Sequence, residues 1–193
     1  MDSFEEVIAA ILQRKGYWTQ TSVKVELTKS EKRKIGRESS PRWELDVVAY
    51  RGKDNSIKVV ECKSYLDSYG VDCAAFDGSN EAAQSRYKLF FERRLRKVVF
   101  ERLKNQMISR GFCRTSPRIQ LCVAAGKIRG DEDFLRSYFK KNDWLLIGPD
   151  SIREELEKFI DSGYENSVPA VVAKLLLRRA KPICRGRNVG NAA

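Results

Sequence analysis

Two neighbouring apolar segments carry charged residues where the strands of a buried sheet usually carry none. The segments span residues 43–50 and 57–64, and the polar turn Gly52-Lys53-Asp54-Asn55 joins them. Because Gly, Asp and Asn tolerate tight-turn dihedral angles, the pattern predicts a β-hairpin. Neither segment alternates cleanly between apolar and polar residues, which is typical of strands covered on both faces.

The charged residues of this hairpin are Asp46, Glu61 and Lys63. Successive side chains of a strand point to opposite faces, so Asp46 is expected on the face of Val48, and Glu61 and Lys63 on one common face. Unpaired charges are costly in such a setting. Two carboxylates and one ammonium group that converge there call for a compensating partner, and a divalent cation satisfies that need.

Asp46, followed across the turn by Glu61-Cys62-Lys63, resembles the signature of the PD-(D/E)xK nucleases, and is nearest to Holliday-junction resolvases and Mrr-type restriction endonucleases. The proline of the signature is not adjacent to the aspartate here, since Pro41 lies several residues before it. The resemblance spans roughly residues 3–125. It implies an α/β fold with a restriction-endonuclease-like core, that is, a mixed β-sheet with helices on both faces. The implied order is α-β-β-β-α-β plus additional helices and a strand.

The resemblance also implies a catalytic centre. Asp46 and Glu61 would bind Mg²⁺, or Mn²⁺ in its place, with the backbone carbonyl of Cys62 as a further oxygen ligand. Lys63 would orient or help deprotonate the attacking water, or stabilise the developing negative charge. No small-molecule cofactor is expected. Alternatively, the same residues could form a buried ion-pair network that binds no ligand and has only a structural role.

Glu5 is a further candidate catalytic residue. Residues 3–15 have the periodicity of an amphipathic helix, and Glu5 shares a face with Ile8 and Leu12, so it should border the core. In the family that the chain resembles, an acidic residue of the first helix often approaches the metal site. An acid in a first helical turn can also serve only to favour the helix dipole.

The charge of the chain predicts a polyanionic partner. There are 37 Lys and Arg residues against 26 Asp and Glu residues, a formal net charge of +11. This balance favours DNA through counterion release at the phosphates. Candidate contacts lie in the basic segment 29–42, expected to be a mobile loop, and at the start of a long helix predicted over residues 80–110. The candidates are Lys32, Arg33, Lys34, Arg37, Arg42 and Gln84.

Several classes of function are excluded or disfavoured by residue types. The chain has no histidine, so a Ser-His-Asp triad and a histidine general base are both excluded. Its five cysteines lack the spacing of a zinc site and favour a reducing compartment. No secretory signal and no apolar run of membrane-spanning length are evident. We expect a cytoplasmic protein with no membrane partner.

The rest of the chain indicates one nuclease-like domain over residues 1–165 and a C-terminal helix with a basic tail over residues 166–193. Strands are predicted at residues 17–27, 119–125 and 144–147, and helices at 131–141, 149–161 and 168–179. Loops are expected over residues 64–78.

The prediction of function is a metal-dependent endonuclease of restriction, repair or recombination type that hydrolyses phosphodiester bonds of DNA. The alternative is a nucleic-acid-binding module on the same fold that is non-catalytic or requires a protein partner. Resolvase-like enzymes act as homodimers, so a homodimer is also implied, although the sequence has no evident self-complementary interface.

Overall fold

The centre of the molecule is a five-stranded mixed β-sheet in the order β1-β2-β3-β5-β7. The structure, a computed structural model, describes residues 2–39 and 42–178. The strands are Trp18–Val25 (β1), Trp43–Arg51 (β2), Ser56–Lys63 (β3), Val71–Asp72 (β4), Arg118–Ala125 (β5), Ile128–Arg129 (β6) and Leu145–Ile147 (β7). The helices are Ser3–Arg14 (α1), Lys29–Lys34 (α2), Ala74–Asp77 (α3), Glu81–Gln84 (α4), Lys88–Phe91 (α5), Arg93–Ser109 (α6), Glu132–Lys141 (α7), Pro149–Glu157 (α8) and Val168–Leu177 (α9).

The sheet joins an antiparallel half to a parallel half. Strands β1, β2 and β3 are paired antiparallel, and short connections suffice for such pairs. Strand β3 then pairs in parallel with β5, in a register that places Lys63 opposite Ala125. Strand β5 pairs in parallel with β7. Parallel pairs need crossover connections, and the segments holding α3–α6 and α7 provide them.

Helices cover both faces of the sheet. One face packs against α6 and α7 through the side chains of Val48, Val59, Leu121 and Val123. The other face packs against α1, α8 and α9 through Val47, Val60, Cys122 and Ala124. The hairpin strands are therefore buried on both sides, which explains why their apolar residues do not alternate with polar ones. The prediction of an α/β fold with a mixed sheet is confirmed.

Residues 29–34 form a helix where the sequence predicts a loop. The hydroxyl of Thr28 accepts a hydrogen bond from the Glu31 backbone N–H at 3.3 Å, and the Glu31 carboxylate accepts one from the Thr28 N–H at 2.7 Å. This capping box satisfies two N–H groups that a helix start leaves without partners. Because α2 buries no side chain, it has no hydrophobic periodicity to reveal it. Pro41 of the signature lies outside the described residues.

The predicted helix over residues 80–110 is three helices, α4, α5 and α6. Tyr87 and Phe90 turn towards the ring of Phe76, with centroids 4.8 Å and 6.0 Å away. The Arg96 guanidinium donates hydrogen bonds to the carbonyl oxygens of Leu89 and Phe90 at 2.9 Å and 2.7 Å. A break in a helix leaves backbone carbonyl groups without their usual partners. Here the Arg96 guanidinium supplies donors for two of them, and the packing of the aromatic rings stabilises the bent chain.

The segment that follows β3 is less irregular than predicted, because β4 pairs in parallel with β6 in a separate two-stranded sheet.

At the C-terminal end, α9 packs against the helices of the second face through Ala170 and Ala173. The basic tail beyond residue 178 lies outside the described residues. Within the described ranges, no helix is both long and apolar enough to cross a membrane.

Candidate functional site

Strands β2 and β3 separate at the position of Asp46. Their pairing ends at Val47 and Val60, although β2 begins at Trp43 and β3 continues to Lys63. Beyond that point the Asp46 Oδ2 atom accepts a hydrogen bond from the backbone N–H of Cys62 at 2.7 Å. A carboxylate therefore takes the place of the next hydrogen bond of the ladder. Such charge-assisted bonds are short and strong, so this one fixes the carboxylate between the strands.

An irregularity in β1 and β2 lies at the position of Asp46. Leu45 and Val48 face the same side of the sheet, so the regular alternation of side chains slips at Asp46. On the neighbouring strand, Ser22 has a φ of 49° and is absent from the register between Thr21 and Val23. Strand irregularities of this kind often re-aim a side chain beside a functional site.

Glu61 and Lys63 lie on the strand that runs past Asp46, and both side chains are half-buried. The Lys63 Nζ atom donates a hydrogen bond to Glu61 Oε1 at 2.7 Å. Burial lowers the pKa of Lys63, but the charge and hydrogen bond of Glu61, with a contribution from Asp46, outweigh it and leave the pKa raised. The lysine is consequently an ammonium ion at neutral pH.

Glu5 reaches the same region from α1. Its Oε2 atom is shielded from solvent and has no hydrogen-bond partner among the described residues. The pKa of Glu5 is raised, first by burial and then by the negative charge of Asp46. A shielded carboxylate oxygen beside a second carboxylate is costly unless a cation or a proton compensates it. A hydrogen bond from Ser22 lowers the pKa of Glu5 in part, and a cation near the shielded oxygen would compensate its charge further.

The carboxylates repel one another as well as being buried. Burial raises the pKa of Asp46 and of Glu61, and each pKa is only partly lowered by the Lys63 ammonium. The charge of Asp46 further raises the pKa of Glu61. The region therefore holds three acidic side chains against one nearby ammonium, a balance that a bound cation would improve.

These residues fit a magnesium site that is completed by water. Mg²⁺ prefers oxygen ligands and keeps several water molecules, so Asp46, Glu61 and the Cys62 carbonyl would suffice to hold it. Across residues 2–39 and 42–178, no group of three or more His, Cys, Asp or Glu side chains is arranged to hold a metal by itself. Burial, with the charges of Asp46 and Glu5, raises the pKa of the Cys62 thiol, so this thiol is not an activated nucleophile.

The candidate DNA contacts are distributed over several elements. Lys32, Arg33 and Lys34 lie on α2, Arg42 is exposed before β2, and Gln84 is half-buried on α4. Arg37 is engaged within the protein. Its guanidinium bonds to both carboxylate oxygens of Glu92, at 2.8 Å and 2.9 Å, and lies over the ring of Trp43 at 5.3 Å.

The structure adds two arginines to the candidate DNA contacts. Arg93 and Arg94, at the start of α6, line an open depression of about 490 Å³ together with Arg33 and Lys34 of α2. We call these four residues the α2–α6 basic cluster. Arg37, which follows α2, packs against Trp43. Trp43 lies about 10 Å from Asp46 along strand β2. The sequence reveals the charge of these residues but not that they lie together, because α2 and α6 are far apart along the chain.

Comparison with known proteins gives little further information. No family model and no curated protein matches the chain. Among solved structures, the chain is similar to the crystal structure of a protein of unknown function, AF1548, with 16% sequence identity and a TM-score of 0.39. The alignment covers 92% of this chain and 71% of that chain. At this TM-score the two folds are only loosely alike, so the functional interpretation depends on the geometry of the site.

Proposed function

We propose that the protein is a metal-dependent nuclease that hydrolyses phosphodiester bonds of DNA. The observation that carries the proposal is the convergence of Asp46, Glu61 and Lys63 where β2 and β3 separate, with the Glu5 carboxylate close enough to Asp46 for that charge to raise its pKa. A structural ion-pair network would be expected to satisfy its buried oxygen atoms. A bound cation would compensate the shielded Glu5 oxygen.

The architecture supports the same proposal. The order of α1, three antiparallel strands, a helical crossover and the parallel strand β5 agrees with the restriction-endonuclease-like core implied by the signature. In this arrangement Asp46 lies on the second strand, and Glu61 and Lys63 lie at the end of the third. The DNA partner is supported by the net charge of +11 and by the α2–α6 basic cluster.

Each site residue has a role in hydrolysis. Bound Mg²⁺ would act as a Lewis acid on the phosphate and would lower the pKa of water. Asp46 and Glu61 would hold the cation, and the Cys62 N–H keeps the Asp46 carboxylate oriented. The Lys63 ammonium, placed by Glu61, stabilises the negative charge that develops as water adds to phosphorus and the P–O bond to the leaving group breaks. Glu5 adds negative charge that favours cation binding.

The test is cleavage of DNA by the wild type and two lysine variants. Linear duplex, supercoiled plasmid and single-stranded DNA are incubated with Mg²⁺, Mn²⁺ or EDTA. We expect cleavage only with metal, and a loss of about 100-fold or more in Lys63→Ala. Lys58→Ala is the matched control, because Lys58 is a half-buried lysine of the same strand that bonds instead to Gln120 Oε1 at 2.7 Å.

Three results would contradict the proposal: cleavage that persists in EDTA, cleavage that survives in Lys63→Ala, or an equal loss in Lys58→Ala. DNA binding without cleavage in any metal would favour the non-catalytic or partner-dependent alternative. Binding should be measured for each variant, since Lys63→Ala is expected to retain DNA affinity while losing hydrolysis.

A further inference from the structure

A short loop directly after β3 presents two large apolar side chains to solvent. It comprises residues 64–70, and we call it the β3–β4 loop. Leu66 is 64% exposed and Tyr69 is 79% exposed. Single exposed apolar residues are common on protein surfaces. The location is what distinguishes this pair, because both residues follow Lys63 within a few positions of the chain.

The β3–β4 loop is held in place by the turn between β5 and β6. The Gly126 N–H donates to the Lys63 carbonyl at 3.0 Å, and the Val71 N–H donates to the Lys127 carbonyl at 2.8 Å. The Lys127 ammonium also donates to the Ser68 carbonyl at 2.9 Å. A Cβ atom at Gly126 would collide with the Ser64 carbonyl oxygen, so the close contact of the two segments requires glycine there. Leu66 and Tyr69 are therefore presented by a pinned loop.

The loop borders the candidate site on the side of α1. Leu66 and Gly126 line an open, mostly apolar groove of about 490 Å³, and Phe4 and Glu6 of α1 also line it. Glu5 lies between those two residues in α1. Glu5, Asp46, Glu61 and Lys63 do not themselves line the groove. The groove and the candidate site are connected through α1 and through the β3–β4 loop, which begins directly after Lys63.

Cationic side chains accompany the exposed aromatic ring. The Arg129 guanidinium lies 5.0 Å from the centroid of the Tyr69 ring, and Lys127 contacts the loop backbone. Asp67 is the opposing charge on the loop. A cation on one face of an exposed tyrosine leaves the other face available for stacking. Aromatic faces combined with Lys and Arg are the usual means of binding unpaired nucleotides. An apolar protein partner would account for the exposed Leu66 and Tyr69 but not for Arg129 and Lys127 beside them.

We propose that the β3–β4 loop binds an unpaired base next to the scissile phosphate, with Tyr69 stacking on the base and Leu66 directing it towards the groove. The preferred substrate class is then DNA with a single-stranded gap or end, rather than continuous duplex. The proposal depends on the proposed nuclease function only for the position of the scissile phosphate. Binding of an unpaired base by the loop can be measured separately from cleavage.

The experiment compares two DNAs in EDTA, where metal-dependent cleavage is prevented. One is a continuous duplex, and the other has the same sequence with a short single-stranded gap containing 2-aminopurine. We expect about tenfold tighter binding of the gapped DNA, together with quenching of the 2-aminopurine fluorescence on stacking. Tyr69→Ala and Leu66→Ser should each lose about tenfold in affinity for the gapped DNA, with the affinity for duplex unchanged.

Two further variants control for the loss of an exposed aromatic side chain. Tyr69→Phe keeps the ring and should retain both affinity and quenching. Tyr164→Ala removes a tyrosine that is 96% exposed but lies next to Glu165, which pairs with Arg14 at the far end of α1. That variant should behave as the wild type. Both loop residues are exposed, so loss of folding is not expected, and circular dichroism checks it.

The inference is overturned if Tyr69→Ala binds and quenches the gapped DNA as the wild type does, if it loses affinity equally for both DNAs, or if the wild type binds neither. These outcomes are distinct from failure of the nuclease proposal, which is measured by cleavage in Mg²⁺ and by Lys63→Ala. Tyr69-dependent quenching without cleavage would support the loop site alone. Metal-dependent cleavage without Tyr69 dependence would support the nuclease proposal alone.

Discussion

At the scale of single residues, Asp46 combines properties that oppose stability. It lies in a strand buried on both faces, it interrupts the pairing of β2 with β3, and burial raises its pKa. A carboxyl group whose pKa is higher in the folded than in the unfolded state makes the folded state less stable when it is ionised. Such a residue is expected where selection favours function over stability.

We therefore predict that Asp46→Asn stabilises the protein at neutral pH in EDTA while abolishing cleavage. The amide oxygen can still accept the Cys62 N–H, and the buried negative charge is removed. The expected gain is about 1 kcal/mol, equivalent to a rise of about 2–4 °C in the melting temperature. Glu44→Gln, at an exposed carboxylate of the same strand, should leave the melting temperature unchanged. A large loss of stability in Asp46→Asn would show that the charge serves a structural role.

At the scale of elements, the break between α5 and α6 is a stabilised feature. Arg96 satisfies two carbonyl groups at the break, and its guanidinium lies 5.6 Å from the ring of Trp144. Arg96 thereby connects the break between α5 and α6 with Trp144, the residue directly before β7. The aromatic cluster around Phe76 depends on the same turn of the chain.

Replacing this arginine tests the role of the break. Arg96→Met keeps most of the aliphatic length but leaves the Leu89 and Phe90 carbonyls without their donor. We expect a loss of about 2–3 kcal/mol in the free energy of unfolding. Urea denaturation monitored by tryptophan fluorescence measures it. Arg94→Met, at an exposed position of the same helix, should change the free energy by less than about 0.5 kcal/mol. Equal effects of the two variants would show that the contacts of Arg96 at the break do not stabilise the fold.

The sequence predicts the elements that have apolar runs, a hydrophobic period or clear turn residues, and it misses those that have none of these. The hairpin, β5 and α7 follow from apolar runs and turn residues, and the structure has them within a few residues of the predicted bounds. The break before α6 has no such signal. Arg96 bonds to carbonyl groups of the preceding turn, but the rings of Phe76 and Trp144 that pack around the break belong to other parts of the chain. The same holds at the site: the Glu61–Lys63 spacing is local, whereas the conformation of Ser22 is imposed by its neighbours.

At the scale of the whole molecule, positive charge is the property most relevant to a nucleic-acid partner. The net charge of +11 is a sum over the chain, and its value for binding depends on where the cations lie. The α2–α6 basic cluster concentrates four of them around one depression. Affinity that arises from such contacts decreases steeply with salt concentration.

The salt dependence of DNA binding tests this cluster. We predict that the double variant Arg93→Ala/Arg94→Ala weakens binding to all DNA sequences alike and reduces the slope of log K against log salt by about 2. Lys15→Ala/Lys158→Ala, at two exposed cations of the opposite helical layer, is the matched control with the same change in charge. An unchanged slope in the first variant would place the DNA elsewhere on the surface.

The parallel pairing of β3 with β5 has a consequence for how the protein is made. All four candidate catalytic residues are present once synthesis reaches Lys63, but the strand that carries two of them gains its second neighbour only when residues up to Ala125 are available. Long-range parallel pairing forms slowly, since its loop-closure entropy is lost before its contacts are gained. A nascent chain would therefore contain the residues of the proposed catalytic site well before it could hold them in a working geometry.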